Sequence, residues 1–116
     1  MNSGQFMEEN DMSIEICKYR SYYDRTLVMN EVVCSRRYQE YLESAMIELR
    51  TYYFRVNGEI RTSNLEAVMK ELDLLIEWVE NHTEGEDLEY LKSQLQYMQK
   101  LIPEALQEED DRLHIL

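Results

Sequence analysis

The chain has 116 residues and a formal net charge of −12, from 24 acidic and 12 basic residues. That length suits a single domain with a buried core, and an apolar content of 44% is too high for a wholly disordered chain. The acidic balance disfavours direct binding to DNA, RNA or anionic lipid and favours partners with a basic protein surface.

The charge is unevenly spread. Residues 1–17 carry −4, residues 18–61 carry +2 and residues 62–116 carry −10. No stretch approaches the ~20 apolar residues of a membrane span. The acidic run Met7 to Met12 stands where a secretory signal would be basic and then apolar. Cys17 and Cys34 would lie ~25 Å apart on one helix, too far to bond. Reduced thiols of a cytoplasmic protein fit best.

Residues 1–12 read as a flexible acidic tail, with Phe6 and Met7 as weak anchors. Residues 13–34 admit two readings. Ile14 and Ile16 alternate with polar neighbours, and Val28, Val32 and Val33 tolerate a strand, so a strand pair is open. No Gly or Pro marks a turn, however, and Ser21-x-x-Asp24 resembles a capping box. The helix reading is therefore adopted, over about 22–56. Its seam is Tyr38, Leu42, Ala45, Leu49, Tyr52 and Val56, spaced 4, 3, 4, 3, 4. Asn57-Gly58 is either a hairpin turn or a helix stop. A two-residue turn would oppose Val56 to Glu59 and Arg55 to Ile60, so Gly58 is read as the stop.

Ser63-Asn64-Leu65-Glu66 is a second capping box, and Leu65, Val68, Leu72, Leu75 and Val79 follow it at helical spacing. This predicts a helix over 64–81. Thr83-Glu84-Gly85-Glu86 offers a third box, before the stripe Leu88, Leu91, Leu95, Met98, Ile102 and Ala105. A helix over 86–102 is predicted, kinked or ended by Pro103. Residues 108–116 read as an acidic C-terminal tail with an apolar tip at Leu113, Ile115 and Leu116.

The expectation is an all-α fold: an antiparallel three-helix bundle, up-down-up, with coiled-coil-like packing and an extra N-terminal element, occupying residues 13–107. Its expected core is Leu42, Leu49, Leu65, Leu72, Leu75, Val79, Leu91, Leu95 and Met98.

Chemistry is sparse. His82 and His114 stand far apart in sequence, and neither sits in a zinc, EF-hand or Glu-x-x-His pattern. Cys34 beside Arg36 and Arg37 is a candidate activated thiol, but no histidine is near it in sequence. There is no Gly-rich phosphate loop and no GxSxG setting. No cofactor and no metal are expected, and no enzyme activity.

Two candidate contact surfaces remain. One is acidic: Glu77, Glu80, Glu84, Glu86, Asp87 and Glu89. The other is Tyr/Arg-rich: Tyr22, Tyr23, Arg36, Arg37, Tyr53 and Arg55, residue types enriched at protein–protein hot spots. The function expected is a non-enzymatic protein-binding regulator, an acidic adaptor or inhibitor of a partner with a basic surface. Its sharpest form is a phage-type nucleic-acid mimic. A structural homo-oligomer, most simply a homodimer, or a small acidic chaperone is the alternative. An RNA-binding module using the Tyr/Arg residues is a further one.

Overall fold

Ile14, Ile16 and Tyr19, and then Val28, Val32 and Val33, are β-branched or aromatic residues that suit a pleated surface. In the computed structural model, which describes residues 13–21, 24–51, 53–55 and 57–116, they form strands β1 (Ser13–Ser21) and β2 (Asp24–Cys34). The two pair antiparallel from Ser13 opposite Cys34 to Ser21 opposite Asp24. The register shifts three times along the pair, between Ile14 and Ile16, Ile16 and Cys17, and Tyr19 and Ser21. In the first two shifts the extra residues lie on β2, so Ile16 and Cys17 stay on opposite faces of β1.

Helix α1 follows at once in three pieces: an α turn Ser35–Arg37, a π-helical turn Tyr38–Leu42 and an α segment Glu43–Leu49. It ends at Arg50, which takes the left-handed conformation at φ 60 and ψ 38. The Thr51 N–H donates to the Met46 carbonyl at 3.0 Å and the Arg50 N–H to the Ile47 carbonyl at 3.3 Å. This is the Schellman closure, made here without glycine. Strand β3 (Glu59–Arg61) and a 3-10 turn (Thr62–Asn64) lead into α2 (Leu65–His82), and α3 (Gly85–Ala105) returns beside it. Strand β4 (Arg112–Ile115) comes last.

The sheet order is β2-β1-β4-β3, every neighbour antiparallel. Its inner face supplies Ile16, Ile60, Leu113 and Ile115, all at most 1% exposed. These meet Val68, Leu72, Leu75 and Val79 of α2 and Leu91, Leu95, Met98 and Ile102 of α3 in one apolar cluster. Of the core expected from sequence, Leu42, Leu72, Leu75, Val79, Leu91, Leu95 and Met98 are buried, while Leu49 and Leu65 are half-buried.

The all-α three-helix bundle is thus corrected to an α+β fold. The helix expected over 22–56 is a β-hairpin followed by a short helix. The seam spacing of 4, 3, 4 holds only from Tyr38 to Leu49; Tyr52 and Val56, which would have extended it, lie outside the described residues, as do residues 1–12. Coiled-coil packing fails for the same reason. Helices α2 and α3 do pair, but the sheet takes the place of the third helix against them. Pro103 ends nothing, for α3 runs two residues past it.

Asn57-Gly58 neither stops a helix nor turns a tight hairpin. The Asn57 N–H donates to the Ile115 carbonyl at 2.7 Å, and the Ile115 N–H to the Gly58 carbonyl at 3.0 Å, so the pair extends the β3–β4 ladder. A Cβ at Gly58 would lie 2.9 Å from the Arg55 carbonyl oxygen and 3.0 Å from that of Tyr53.

Residues 112–115, read from sequence as tail, are an interior strand. The burial of Arg112-Leu113-His114-Ile115 alternates as a strand requires. Asp111 anchors the approach. Only 4% exposed, its carboxylate accepts from the Glu108 N–H at 2.9 Å and the Gln107 N–H at 3.1 Å, and pairs with the Lys18 ammonium at 3.4 Å.

Candidate functional site

Helices α2 and α3 each turn one apolar stripe to the core, which leaves their charged sides outward. Two rungs fix the hairpin on that outer side. Lys92 pairs with Glu80 at 2.8 Å, and the Gln99 side-chain amide donates to Asp73 at 2.8 Å. Beside the Asp73 rung, Leu74 of α2 is 42% exposed. A shallow depression of about 510 Å³ lies along α2, lined by Lys70, Asp73, Leu74, Ile76, Glu77 and Glu80. Its apolar floor is therefore ringed mainly by carboxylates.

The structure places Glu77 and Glu80 on this outer side of α2, and Glu84, Glu86 and Glu89 exposed around the start of α3. Asp87 is different. It is half-buried, accepting from Arg37 Nε at 2.9 Å and from the Tyr41 hydroxyl at 2.7 Å. The Arg37 bond, and then the Tyr41 bond, holds its carboxyl below the usual carboxylate range. It ties α1 to α3 and is no part of the acidic surface.

The Tyr/Arg residues do not form one face. Arg36 is exposed at the start of α1 and pairs with Glu40 at 2.7 Å. Arg37 is half-buried, bound to Asp87 and stacked 4.4 Å over the Tyr90 ring, and its Nη1 donates to the Cys34 sulfur at 3.7 Å. Tyr53 and Arg55 follow the other end of α1. The Tyr53 N–H donates to Glu71 at 3.2 Å. Arg55 is exposed beside a second depression of about 400 Å³, where Ile47 is 72% exposed. Tyr22 and Tyr23 lie outside the described residues.

The junction around Arg37 contains partners that sequence reasoning missed. The Tyr90 hydroxyl donates to Glu31 and accepts from the Cys34 N–H at 2.9 Å. Gln94 donates to the carbonyls of Glu31 at 2.6 Å and Val32 at 3.0 Å. Burial, reinforced by the bond to Glu31, pushes the Tyr90 phenol above its ordinary range. These contacts join residues more than 55 positions apart in sequence, and no local pattern announces them.

A second feature missed from sequence is the sheet face opposite the helices. Cross-strand register aligns Tyr19, Arg112 and Arg61 in one row across β1, β4 and β3. The next row outward on that face is Leu27, Cys17, His114 and Glu59. The rings of Tyr19 and His114 lie 4.1 Å apart, tilted by 38°. Glu59 accepts from Arg61 Nε at 2.8 Å and lies 3.4 Å from His114 Nε2. The Arg61 bond is the main reason its carboxyl sits below the usual range. Only the alternation in Arg112-Leu113-His114-Ile115 could have pointed here.

His82 stacks on Trp78 with ring centroids 4.2 Å apart, and its Nδ1 is 2.8 Å from the Trp78 carbonyl oxygen. Cys17 and Cys34 are unbridged. Among the described residues no group of three or more His, Cys, Asp or Glu side chains is placed to hold a metal ion, and no helix is long and apolar enough to cross a membrane. The surface thus carries exposed carboxylates around apolar ground along α2, and Tyr19, His114, Arg112 and Arg61 on the sheet face opposite the helices. No protein-family model, curated protein or solved structure matches the chain.

Proposed function

We propose that this is a non-enzymatic protein-binding module that docks a basic, partly apolar segment of a partner on the outer side of the α2–α3 hairpin. The observation that carries the reading is exposed Leu74, set among the carboxylates Asp73, Glu77 and Glu80 in one depression along α2. Apolar and aromatic side chains supply contact area at a binding surface, and the surrounding charge selects the partner and speeds its approach. Of Asp73, Glu77 and Glu80, Glu80 alone has a cation within 4 Å among the described residues, namely Lys92. Repulsion among them weakens the free fold, and a basic partner relieves it. The cytoplasm is the proposed setting, supported by the two unbridged thiols.

The test is affinity capture from the host extract by the full chain at low and high salt. Two variants run beside it: Leu74→Ser, and the triple charge reversal of Glu77, Glu80 and Glu84 to Lys. The wild type should retain a basic protein that salt releases. Both variants should lose it while keeping the wild-type circular dichroism. Retention of the same protein by both folded variants would refute the surface assignment.

A further inference from the structure

On the sheet face opposite the helices, the row Tyr19, Arg112 and Arg61 is built from three separate strands. Adjacent strands stand ~4.8 Å apart, so the row spans ~10 Å. Like charges directly opposite one another on a sheet destabilise it, yet Arg112 of β4 is paired in register with Arg61 of β3. Glu59 neutralises Arg61 at 2.8 Å. Arg112 is half-buried and has no carboxylate within 4 Å among the described residues, in a chain with 24 acids for 12 bases. Beside it, Tyr19 and His114 form a half-exposed aromatic pair.

Arginine presents a planar fork that matches phosphate oxygens. Aromatic rings on an open sheet stack bases whatever their sequence. We infer that this face binds single-stranded nucleic acid, with Arg112 on a phosphate and the Tyr19–His114 pair under the bases, over roughly two or three nucleotides. The site is separate from the protein-binding surface proposed above and stands or falls without it.

The net charge of −12 does not forbid this. The excess of acid lies in residues 62–116, mostly on α2 and α3 across the core. The molecule's smallest extent is 21 Å, about two Debye lengths at 0.1 M salt. Glu109 and Asp110 do border the site. They share a depression of about 280 Å³ with Arg61 and Arg112 and repel phosphate at that end.

The experiment is fluorescence anisotropy of labelled ten-nucleotide oligo(U) and oligo(dT) titrated with the full chain at 50 mM and 200 mM salt. Both probes should bind at 50 mM and weaken with salt, and a clear preference for oligo(U) would assign contacts to the ribose 2′-hydroxyl. Arg112→Gln should lower the salt slope by about one. Tyr19→Leu should weaken binding ~5- to 150-fold, the loss of one stacked base. Neutralising Glu109 and Asp110 to Gln and Asn should strengthen it, a gain that no misfolded variant would give. Arg50→Gln, changed on the surface at the end of α1, should leave it unaltered. The proposal is overturned if the wild type binds neither probe at 100 µM protein. It is equally overturned if folded Arg112→Gln and Tyr19→Leu both bind like wild type, or if poly-glutamate displaces the probe as well as unlabelled oligo(U) does.

Discussion

Replacing Leu113 by Ala tests whether residues 112–115 belong to the core. Leu113 is 0% exposed, held in register between Lys18 of β1 and Ile60 of β3. The change removes three carbons, a transfer loss of ~2.4 kcal/mol at ~0.8 kcal/mol per methylene. The residual void adds ~24 cal/mol per Å³. With partial collapse around it the total is about 3.5 kcal/mol, inside the range seen for buried leucines. At a urea m-value of ~1.5 kcal/mol/M, the midpoint followed by circular dichroism should fall by ~2 M. Leu27→Ala is the control, since Leu27 is also in the sheet but 50% exposed; its loss should stay below ~1 kcal/mol. A shift under ~0.5 M for Leu113→Ala, or one equal to that of Leu27→Ala, would place the segment outside the core and refute the sheet order.

Arg50→Gly should raise stability by ~1 kcal/mol, read as a higher Tm, because a left-handed residue with a Cβ is strained where glycine is not; a lower Tm would contradict the cap. Gly58→Ala should cost ~1–3 kcal/mol by urea unfolding, since its Cβ would press on two backbone carbonyls, and an unchanged midpoint would refute that close approach. Asp111 gives a pH signature. Its carboxyl is held below the usual range first by the Glu108 N–H, against the opposing effect of burial, and then by Lys18. A lowered folded pKa contributes stability that is complete above the unfolded value near ~4 and is lost as pH falls through the lower folded value. The urea midpoint of the wild type should therefore fall as the pH drops below about 4. Asp111→Asn should start lower and fall less steeply, and parallel curves for the two proteins would remove Asp111 from this role.

Helical periodicity was legible wherever one stripe met one core. Leu72, Leu75, Val79, Leu91, Leu95 and Met98 carry the 3–4 spacing and are all at most 1% exposed. The first half hid its strands for physical reasons. Extra residues in β2, opposite the Ile14–Ile16 and Ile16–Cys17 steps, break the two-residue alternation there, between Leu27 and Val33. Ser21 and Asp24, read as a helix cap, are paired across the sheet instead. Arg50 closes its helix in a conformation that sequence rules reserve for glycine or asparagine, so no stop was visible there. The acidic surface could be named from composition, apart from Asp87, whose partners Arg37 and Tyr41 come from another helix. The row Tyr19, Arg112 and Arg61 could not be, since its members lie on three strands that only register brings together.

The place of β4 also governs when the fold can close. It lies between β1 and β3, yet it follows both of them and both long helices in the chain. Until residues 112–115 emerge during synthesis, β1 has a partner on one side only, and the inner residues Ile16 and Ile60 lack the neighbours that cover them. The hairpin and the helices can form early from local contacts, but the sheet is completed only by long-range pairing, which is slow. A nascent chain halted before residue 112 would expose an unpaired edge of β1 and an open apolar floor, the state most prone to pair with another chain.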